Sequence, residues 1–597
     1  MREAARARTL WLALVVGLPP LVVQWAGPVP RLDADAVEYF AHLRSIYYDG
    51  DVSFENEFEH FGILSRWDKV RPTGTGLRRT NFSVGPAILW LPFYATADAW
   101  ARATGTAEDG YSAAHIRAVC LGSLAYGVAG LLLVGRALRQ RVSWAVTFWT
   151  AFVLLYGTFL FWYLVHEPVM SHAGSFFLAA LALVLWLERR EGLSTGRAAA
   201  LGLALGLATC VRWQNAILLV VPAAGLALDW MGRRRSDPAA RRGALLGAGV
   251  LGAAFLVAVL PQLLVFKSIF GAYLLPYPVQ GRDYVRLDRP ALLETFFSSR
   301  HGLLYWTPVL WAGFLGFLPL LRREARTAGI LLLAVGLMSY TNACSEDWWA
   351  GGSYSNRRFD SVLPMLALGL AASLEALVAA VRRRPSWVAL AVGVGLGGWN
   401  FLFMEQYRRN AIPRDDTVSF ARVAQNNADL LGEIAGTPVA WPANWLFARR
   451  HRMAADRYDL AVGKYLFLRQ NNLGGVIDLG DDRSDPALLA EGWTGRTSCE
   501  KAICRGVESQ ARVLAPLGGD APDTMDLTVR AGGSGTLSVS VNGARVGEFP
   551  LSAPLRDLTV RVPAWTWRPG INEVVLAAGD AVVDKLVFTR TSTSTSR

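Results

Sequence analysis

The sequence is dominated by a succession of long apolar runs, and this feature restricts the fold more than any other. A helix needs about 20 mainly apolar residues to cross the hydrocarbon core of a bilayer. The first run follows Arg2, Arg6 and Arg8, and we interpret it as an uncleaved anchor because many further runs come after it. The candidate runs are 9–26, 84–102, 115–135, 144–163, 168–187, 198–211, 214–230, 243–266, 302–321, 327–341, 360–381 and 386–404. The sequence therefore predicts a polytopic α-helical membrane protein.

The composition supports this class and indicates which partners to expect. Of the 597 residues, 52% are hydrophobic and the mean hydropathy is +0.27, which is too apolar for an ordinary soluble protein. The net charge of +12 is carried almost wholly by arginines, which stand in short clusters between the apolar runs. Membrane proteins fix their orientation with such clusters, so we expect membrane lipids and no nucleic acid as partners. The arginine, alanine and glycine bias indicates a bacterial genome, and hence the bacterial cytoplasmic (inner) membrane.

The basic clusters also orient the chain. If every run crossed the bilayer from a cytoplasmic N-terminus, the basic segments 136–141 and 189–197 would lie outside, against the positive-inside tendency. The conflict disappears if the run 84–102, which two prolines and an aspartate interrupt, lies on the outer surface as an interfacial helix. Five basic segments then face the cytoplasm, namely 136–141, 188–197, 233–242, 322–326 and 382–384. We expect about eleven spans, a cytoplasmic N-terminus and an extracytoplasmic C-terminal part.

Four parts are expected along the chain. Residues 1–404 form the transmembrane domain, whose outer loop 27–114 contains the interfacial helix. Residues 405–507 form a mixed linker region outside the membrane. Residues 508–590 form a jelly-roll-like β-sandwich, because apolar and polar residues alternate there. The Ser/Thr-rich end, 591–597, is expected to be disordered.

Two short motifs bear on the C-terminal part. Asn542-Gly543 predicts a two-residue hairpin turn, because both positions of that turn favour positive φ. Cys499 and Cys504 would form a disulfide if this part lies outside the cytoplasm, and the spacing alone leaves that open. Modules of this kind bind carbohydrate in some proteins and only pack in others, and the sequence leaves both alternatives open.

Carboxylates mark two of the predicted outer segments. Asp33, Asp35 and Glu38 follow the first apolar run closely, with Tyr39 beside them. Glu167 stands in the short turn His166-Glu167-Pro168, and His172 follows one helical turn later. An ionisable residue at the edge of a span is a functional candidate, and a general base needs a positioned carboxylate. The alternative is that these groups are a solvated loop and its helix cap.

Several cations and two tryptophans occur on the same predicted face. A phosphate leaving group requires positive charge, and arginine suits bidentate phosphate contact. The alternative for these cations is binding to lipid headgroups, and the alternative for the Trp pair is a simple interfacial anchor rather than a groove for sugar or lipid. The residues are Arg78, Arg79, Arg212, Arg282, Arg300, His301, Arg357 and Arg358, with Trp348 and Trp349.

The motifs of residues 9–410 stand in a recognisable order. They are Asp35-Ala-Val-Glu38-Tyr39, Asp49-Gly-Asp51, Gly85-Pro86-Ala-Ile-Leu-Trp90-Leu-Pro92-Phe93-Tyr94, His166-Glu167-Pro168, Val211-Arg212-Trp213-Gln214-Asn215, Ser299-Arg300-His301-Gly302 and Asp347-Trp348-Trp349-Ala-Gly-Gly-Ser353. This order resembles the GT-C membrane glycosyltransferases, and in particular bacterial relatives of protein O-mannosyltransferases and lipid A aminoarabinose transferases.

The resemblance implies a polyprenyl-phosphate sugar donor, a glycan, lipid or protein acceptor, and inversion at the anomeric carbon. It implies that Asp35 is the base, with Asp33 as an alternative and Glu167 as a second acidic group. The outer arginines would hold the departing lipid phosphate. We expect no cofactor and no obligatory metal, although members of the family differ in metal use.

Two other functions compete with this one. A transporter or flippase of a lipid-linked glycan would carry polar groups at mid-membrane and often internal repeats. The sequence shows no repeat, and its ionisable residues cluster at the outer ends of spans. A non-catalytic envelope scaffold that binds glycan through the β-module would not need so many spans.

Overall fold

The protein is described from a computed structural model, and it divides into two compact units, 1–424 and 425–597. Each unit is treated separately below. The described residues are 2–64, 70–106, 109–189, 193–231, 238–277, 284–381, 385–458, 475–480, 488–500, 502–517, 524–568 and 570–590. The predicted basic segment 382–384, Arg282 and the predicted disordered tail 591–597 lie outside these residues, and the basic segments 188–197 and 233–242 lie partly outside them.

The first unit is helical throughout. Its α-helices are α1 Arg2–Ala26, α2 Asp35–Arg44, α3 Glu55–His60, α4 Gly85–Thr104, α5 Ala113–Leu138, α6 Trp144–Tyr156, α7 Leu160–Val165, α8 His172–Leu187, α9 Thr195–Val211, α10 Val220–Met231, α11 Pro238–Phe270, α12 Leu292–Phe297, α13 Leu303–Trp306, α14 Leu310–Leu315, α15 Phe317–Ala343, α16 Leu363–Val381, α17 Pro385–Arg408 and the start of α18 Phe420–Ala435. A π-helical turn, Ser45–Asp49, and 3-10 helices at Trp213–Leu219 and Arg357–Val362 extend α2, α10 and α16.

Several of these helices are suited to crossing a membrane. In the described part of the chain, five are long and apolar enough to span a bilayer: Ala7–Ala26, Ala113–Leu138, Trp213–Met231, Arg242–Phe270 and Arg357–Val381. Three apolar helices are shorter: α6, α8 and α9. The chain is therefore a helical protein with several membrane-length helices, and the count of about eleven spans stays a prediction.

The run 302–321 differs from its prediction as a single span. It is divided into α13, α14 and the start of α15, and Pro308, which has no N–H to donate, lies in the break between α13 and α14. Between α14 and α15, Gly316 lies against Gly369 of α16, where a Cβ on Gly316 would stand 1.7 Å from the Gly369 carbonyl oxygen. The break and the missing side chain together let the two helices approach closely.

The run 84–102 forms α4, which is not among the five membrane-length apolar helices. Its first residue, Gly85, touches the end of α9, where a Cβ would meet the Val211 backbone nitrogen at 2.3 Å. On α4 itself, Trp90 Nε1 donates to Ser123 Oγ of α5 at 2.8 Å. The helix is therefore packed against α5 and α9, and its interfacial position stays a prediction.

Three of the predicted cytoplasmic segments meet through ion pairs. Arg136 Nη2 lies 2.5 Å from Glu188 Oε2, and Arg141 Nε lies 3.2 Å from Glu324 Oε1. Glu324 lies at a kink in α15, which contains the basic segment 322–326. The contacts bring Arg136 and Arg141 close to parts of the segments 188–197 and 322–326, and the orientation of these segments in a membrane stays a prediction.

The second unit contains most of α18, a further helix and two antiparallel sheets. Its elements beyond α18 are α19 Ala443–His451, β1 Gly475–Asp478, β2 Trp493–Cys499, β3 Ala502–Val507, β4 Gln510–Leu517, β5 Met525–Ser534, β6 Thr536–Val541, β7 Ala544–Pro550, β8 Arg556–Val562, β9 Gly570–Ala577 and β10 Asp580–Arg590. One sheet has the order β2-β3-β10-β5-β8, with β1 also paired to β10, and the other has the order β4-β9-β6-β7. Buried residues of both sheets, such as Val529 and Val539, share one hydrophobic core.

The β-domain begins earlier than predicted. Strands β1, β2 and β3 lie in the stretch 475–507 that was assigned to the linker region, and they join the sheet of β10. The Asn542-Gly543 turn is confirmed, since both residues have positive φ, 49° and 85°. Cys499 and Cys504 form a disulfide across the β2–β3 hairpin, with Cα atoms 6.0 Å apart.

Candidate active site

The acidic segment after α1 is the first component of the site. Asp33 Oδ1 accepts the Ala34 backbone N–H at 2.8 Å, and Ala34 itself has a φ of 49°. Helix α2 begins directly afterwards with Asp35. A carboxylate at the first position of a helix is stabilised by the positive end of the helix dipole. Glu38, one turn later, is buried, and its Oε2 accepts a hydrogen bond from Thr80 Oγ1 at 2.9 Å.

Asp35 is paired with an arginine from a distant part of the chain. Arg357, at the start of the 3-10 helix before α16, donates from Nη2 to Asp35 Oδ2 at 2.8 Å. Both side chains are 20% exposed, so the pair is partly accessible from outside the unit. A charge-assisted hydrogen bond of this kind holds the carboxylate in one orientation.

Glu167 belongs to the same electrostatic group. Burial raises the pKa of Glu167, while Arg357 and Arg414 lower it and Asp35 raises it. One arginine, Arg357, therefore acts on two carboxylates. Glu167 lies in the turn between α7 and α8, where Pro168 separates the two helices.

A buried polar network lies beside this group and includes Tyr39. The Tyr39 hydroxyl donates to Ser171 Oγ at 3.0 Å, and Arg212 Nη1 donates to the same oxygen at 3.1 Å. Burial raises the pKa of Tyr39 to about 12, against opposing contributions from Arg212, Ser171 and Arg357. Tyr39 is therefore a neutral hydroxyl that connects α2 to the residues around Arg212.

Arg212 and His172 share one buried carboxylate, Asp360. His172 Nδ1 lies 2.6 Å from Asp360 Oδ2, and Arg212 Nε lies 3.8 Å from the same oxygen. Ser175 Oγ donates to Asp360 Oδ1 at 2.8 Å, and Asn215 Nδ2 donates to Ser175 Oγ at 2.9 Å. Asp360 thus contacts two side chains of α8 and the guanidinium of Arg212.

Sequence reasoning missed Asp360. It was counted as the first residue of the apolar run 360–381, although a carboxylate there directly follows Arg357-Arg358. A charged residue at the start of an apolar run is costly to bury unless it is paired, and that signal was available.

Arg358 contacts different residues from those that Arg357 contacts. Its Nη2 donates to Asp347 Oδ1 and to the Tyr284 hydroxyl, both at 2.6 Å, and its backbone carbonyl accepts from Gln214 Nε2 at 2.9 Å. Asp347 directly precedes the Trp348-Trp349 pair. The segments around residues 212, 347 and 357 are thereby joined.

Arg300 and Trp349 form a cation–π pair. The Arg300 guanidinium carbon lies 3.8 Å from the Trp349 ring centroid, and Arg300 Nη2 donates to Asp415 Oδ1 at 2.9 Å. Trp348 packs edge-on against Trp349 at 5.6 Å. His301 is fully buried and stacks on Trp306, with ring centroids 4.6 Å apart. His301 is therefore a packing residue in this state.

Two predicted cations have local partners instead. Arg78 forms a bidentate pair with Glu55, with Nη2 2.6 Å from Oε1. Arg79 Nε donates to Asn81 Oδ1 at 3.3 Å, and its guanidinium lies 5.8 Å from the ring centroid of Phe270 in α11. None of these contacts involves Asp35, so Arg78 and Arg79 are not brought to the Asp35–Arg357 pair by any described contact.

The described residues contain no group of three or more His, Cys, Asp or Glu side chains arranged to hold a metal ion. That transfer needs no metal ion stays a prediction. The chemistry that the site itself offers is carboxylate and hydroxyl groups beside fixed arginines.

No family model and no curated protein matches the chain. Two solved membrane glycosyltransferases are similar to it over 78% of its length. The archaeal oligosaccharyltransferase AglB from Archaeoglobus fulgidus, solved with an inhibitory peptide and a dolichol-phosphate, is 14% identical at a TM-score of 0.42. ArnT from Cupriavidus metallidurans is 15% identical at a TM-score of 0.39.

The matches differ in how much of each neighbour they cover. The chain spans 58% of the length of AglB and 81% of that of ArnT. A shorter match covers 20% of this chain and 98% of the CBM36-1 domain of a xylanase from the hindgut metagenome of Trinervitermes trinervoides, at 13% identity and a TM-score of 0.16. AglB and ArnT are thus among the solved structures to which this chain is similar over most of its length.

Proposed function

We propose that this chain is a membrane glycosyltransferase that moves a sugar from a polyprenyl-phosphate donor to an acceptor hydroxyl at the outer membrane face. The observation that carries the proposal is the Asp35–Arg357 pair, with Glu167 in the field of the same arginine. A base and a phosphate-binding cation are the two groups that such a displacement requires.

The reaction follows from the roles of these groups. The acceptor oxygen attacks the anomeric carbon of the sugar while its proton passes to an oxygen of Asp35. The bond between that carbon and the phosphate oxygen breaks, and the electron pair leaves with the lipid phosphate. Attack from the face opposite the leaving group inverts the anomeric carbon.

In this proposal Arg357 contacts the base before the donor binds and the leaving phosphate afterwards. In the state described here it is bonded to Asp35, which neutralises the carboxylate. An arriving lipid phosphate competes for the guanidinium, because phosphate accepts bidentate hydrogen bonds from arginine. Transfer of Arg357 to the phosphate frees Asp35 to accept the proton, so donor binding switches on the base.

Arg212 is the second candidate for phosphate contact. It is held by Asp360 and Ser171 beside Tyr39, and a preorganised cation needs no rearrangement when charge develops on the leaving group. Glu167 supplies the second acidic group, and its raised pKa favours a role in which it holds a proton or a sugar hydroxyl.

Two observations favour an outward-facing site. Positive-inside counting puts the Asp35 face outside. The Cys499–Cys504 disulfide also favours an oxidising compartment for the second unit, because disulfides persist there. We therefore place the chain in the bacterial inner membrane with its working face outward. Whether the β-domain binds glycan is a separate prediction. Its candidate residue is Trp565, whose side chain is 77% exposed.

The test is a screen of polyprenyl-phosphate sugars with the purified full-length chain in lipid nanodiscs. Formation of a new glycosidic bond and release of polyprenyl phosphate are measured by mass spectrometry, with and without EDTA. The proposal predicts both products from at least one donor. In proteoliposomes, movement of a lipid-linked glycan across the bilayer with no new glycosidic bond would support the transporter instead.

A further inference from the structure

A group of exposed apolar side chains lies in the second unit, outside the site described above. Between residues 431 and 446, six large apolar side chains are 43% to 97% exposed, and Val439 is the extreme at 97%. We call this group, with the arginines that adjoin it, the Trp–Arg patch. It consists of Leu431, Ile434, Val439, Trp441, Trp445, Leu446, Arg449 and Arg450.

The patch is one compact piece of structure. Asn444, at the start of α19, is buried, and its Nδ2 donates to the backbone oxygens of Ala435 at 3.1 Å and Thr437 at 2.9 Å. The Ala455 N–H donates to the Glu433 carbonyl at 2.8 Å. These bonds hold the last turn of α18, the 3-10 turn Pro438–Ala440 and α19 together as one piece that carries all the exposed side chains of the patch.

The arginines stand next to the apolar residues. Arg449 follows Trp445 by one helical turn, and its guanidinium carbon lies 5.5 Å from the Trp445 ring centroid. Arg450 follows Leu446 in the same way. Tryptophan and leucine bordered by arginine are typical of helices that lie in the headgroup region of a bilayer, where the rings enter the interface and the cations meet lipid phosphates.

The chain brings α18 to the end of a predicted membrane helix. Gln406, in the last turn of α17, donates from Nε2 to the Val423 carbonyl at 2.9 Å. The Tyr305 hydroxyl donates to the Val418 carbonyl at 2.7 Å. Helix α18 therefore starts beside the end of α17, and Leu431 follows Val423 by about two helical turns.

From exposure, composition and continuity with α17, we infer that the Trp–Arg patch docks the second unit onto the surface of an anionic lipid bilayer. The apolar side chains enter the headgroup region, and Arg449 and Arg450 contact lipid phosphates. The alternatives are a second copy of the chain or a soluble protein. We favour the bilayer because exposed Trp, Leu and Arg side chains on one short helix suit the headgroup region.

The experiment uses the full chain in nanodiscs of mixed phosphatidylglycerol and phosphatidylcholine. A spin label is attached at Val439→Cys and, independently, at Leu446→Cys. Thr536→Cys, an exposed polar position in β6, is the matched control. Oxygen, which concentrates in the bilayer, and a water-soluble nickel chelate are compared as relaxing agents, and the unsubstituted protein gives the background from native thiols.

The inference predicts that the oxygen-to-nickel accessibility ratio at 439 and 446 exceeds that at 536 by about threefold or more. The double variant Arg449→Gln/Arg450→Gln, or discs of phosphatidylcholine alone, should lower the ratio at 439 while the ratio at 536 stays constant. Nickel access at 439 and 446 equal to that at 536 would overturn the inference. Spin–spin broadening between copies in discs that hold two chains, with no rise in oxygen access, would assign the patch to a second copy instead.

Discussion

Arg357 Nη2 lies 2.8 Å from Asp35 Oδ2, and the bond joins residues 322 positions apart in the chain. It connects the first turn of α2 with the segment that leads into α16. Because the same arginine also acts on Glu167, it is the centre of the acidic group. The contact brings the acidic motif that begins at Asp35 together with the Arg357-Arg358 motif, although the two are far apart in the sequence.

Removal of the Arg357 guanidinium should slow transfer strongly. We expect Arg357→Gln to lower the single-turnover rate by about 100-fold, the usual effect of losing one group that stabilises a leaving anion. Arg357→Lys should recover part of the rate, because it keeps the charge but not the bidentate geometry. Arg78→Gln is the matched control, since Arg78 pairs with Glu55 instead. Equal rates for Arg357→Gln and Arg78→Gln would remove Arg357 from the mechanism.

Asp360 should matter for stability as well as for activity. Asp360→Asn leaves Arg212 without its buried counter-charge, and breaking a buried pair from one side costs roughly 3–5 kcal/mol. Ser175→Ala removes only one hydrogen bond to Asp360 and should cost about 1 kcal/mol. Thermal unfolding in detergent checks both values. If the two variants unfold at the same temperature, the pair of Asp360 with Arg212 does not stabilise the fold.

The dependence of stability on pH should contain a contribution from Glu57. Burial raises the pKa of Glu57 to about 7, although its hydrogen bond with Arg44 opposes this shift. A carboxyl whose pKa is raised on folding stabilises the fold at low pH, and that contribution is lost as the pH rises from about 4.5 to about 7.

The comparison that isolates this group is the unfolding temperature at pH 5 and at pH 8. Glu57→Gln should show a smaller decrease between the two pH values than the unsubstituted protein, because the glutamine does not titrate. Glu59→Gln, on the same helix α3 and exposed, is the control and should behave like the unsubstituted protein. Identical decreases in all three proteins would exclude Glu57 as the titrating group.

The number of free thiols tests the disulfide. Cys120, Cys210 and Cys344 are free and buried, whereas Cys499 and Cys504 are bonded to each other. Maleimide labelling of the denatured protein should therefore add three labels before reduction and five after it, as measured by intact mass. Five labels without reduction, in protein purified from its membrane, would remove this support for an outward C-terminal unit.

The orientation itself is tested by a reporter fused after residue 110. That position follows α4, the helix that is expected to lie on the outer surface. An alkaline phosphatase fusion there should be active, and a green fluorescent protein fusion should be dark. The reverse pattern would mean that α4 crosses the bilayer, and the predicted orientation of the other helices would fail with it.

Charge placement singled out two arginines of the candidate site from the sequence. Arg212 and Arg357 were candidates because they fall on the predicted outer face, against the usual bias. The structure pairs Arg357 with Asp35 and Arg212 with Asp360, and their roles in transfer stay a prediction. Positive-inside counting needs no tertiary information because it depends only on where basic residues fall between apolar runs.

Pairing between distant elements was less predictable. Arg78 looked equivalent to Arg357 in the sequence, yet it forms an ion pair with Glu55 at the start of α3. Strand β2 is mostly exposed and has no apolar alternation, so nothing local marks it as part of the sheet. Its place is determined by its pairing with β3, which in turn pairs with β10, more than seventy residues later in the chain.

The most direct test of the proposed function is the rate of sugar transfer by Asp35→Asn. The full-length variant in nanodiscs is given a radiolabelled polyprenyl-phosphate sugar that the unsubstituted protein uses, and Asp33→Asn is measured beside it. If Asp35 is the base, Asp35→Asn should lose about 100-fold to 10,000-fold in rate, while Asp33→Asn should stay within a few-fold of the unsubstituted protein. Full transfer by Asp35→Asn would contradict the account.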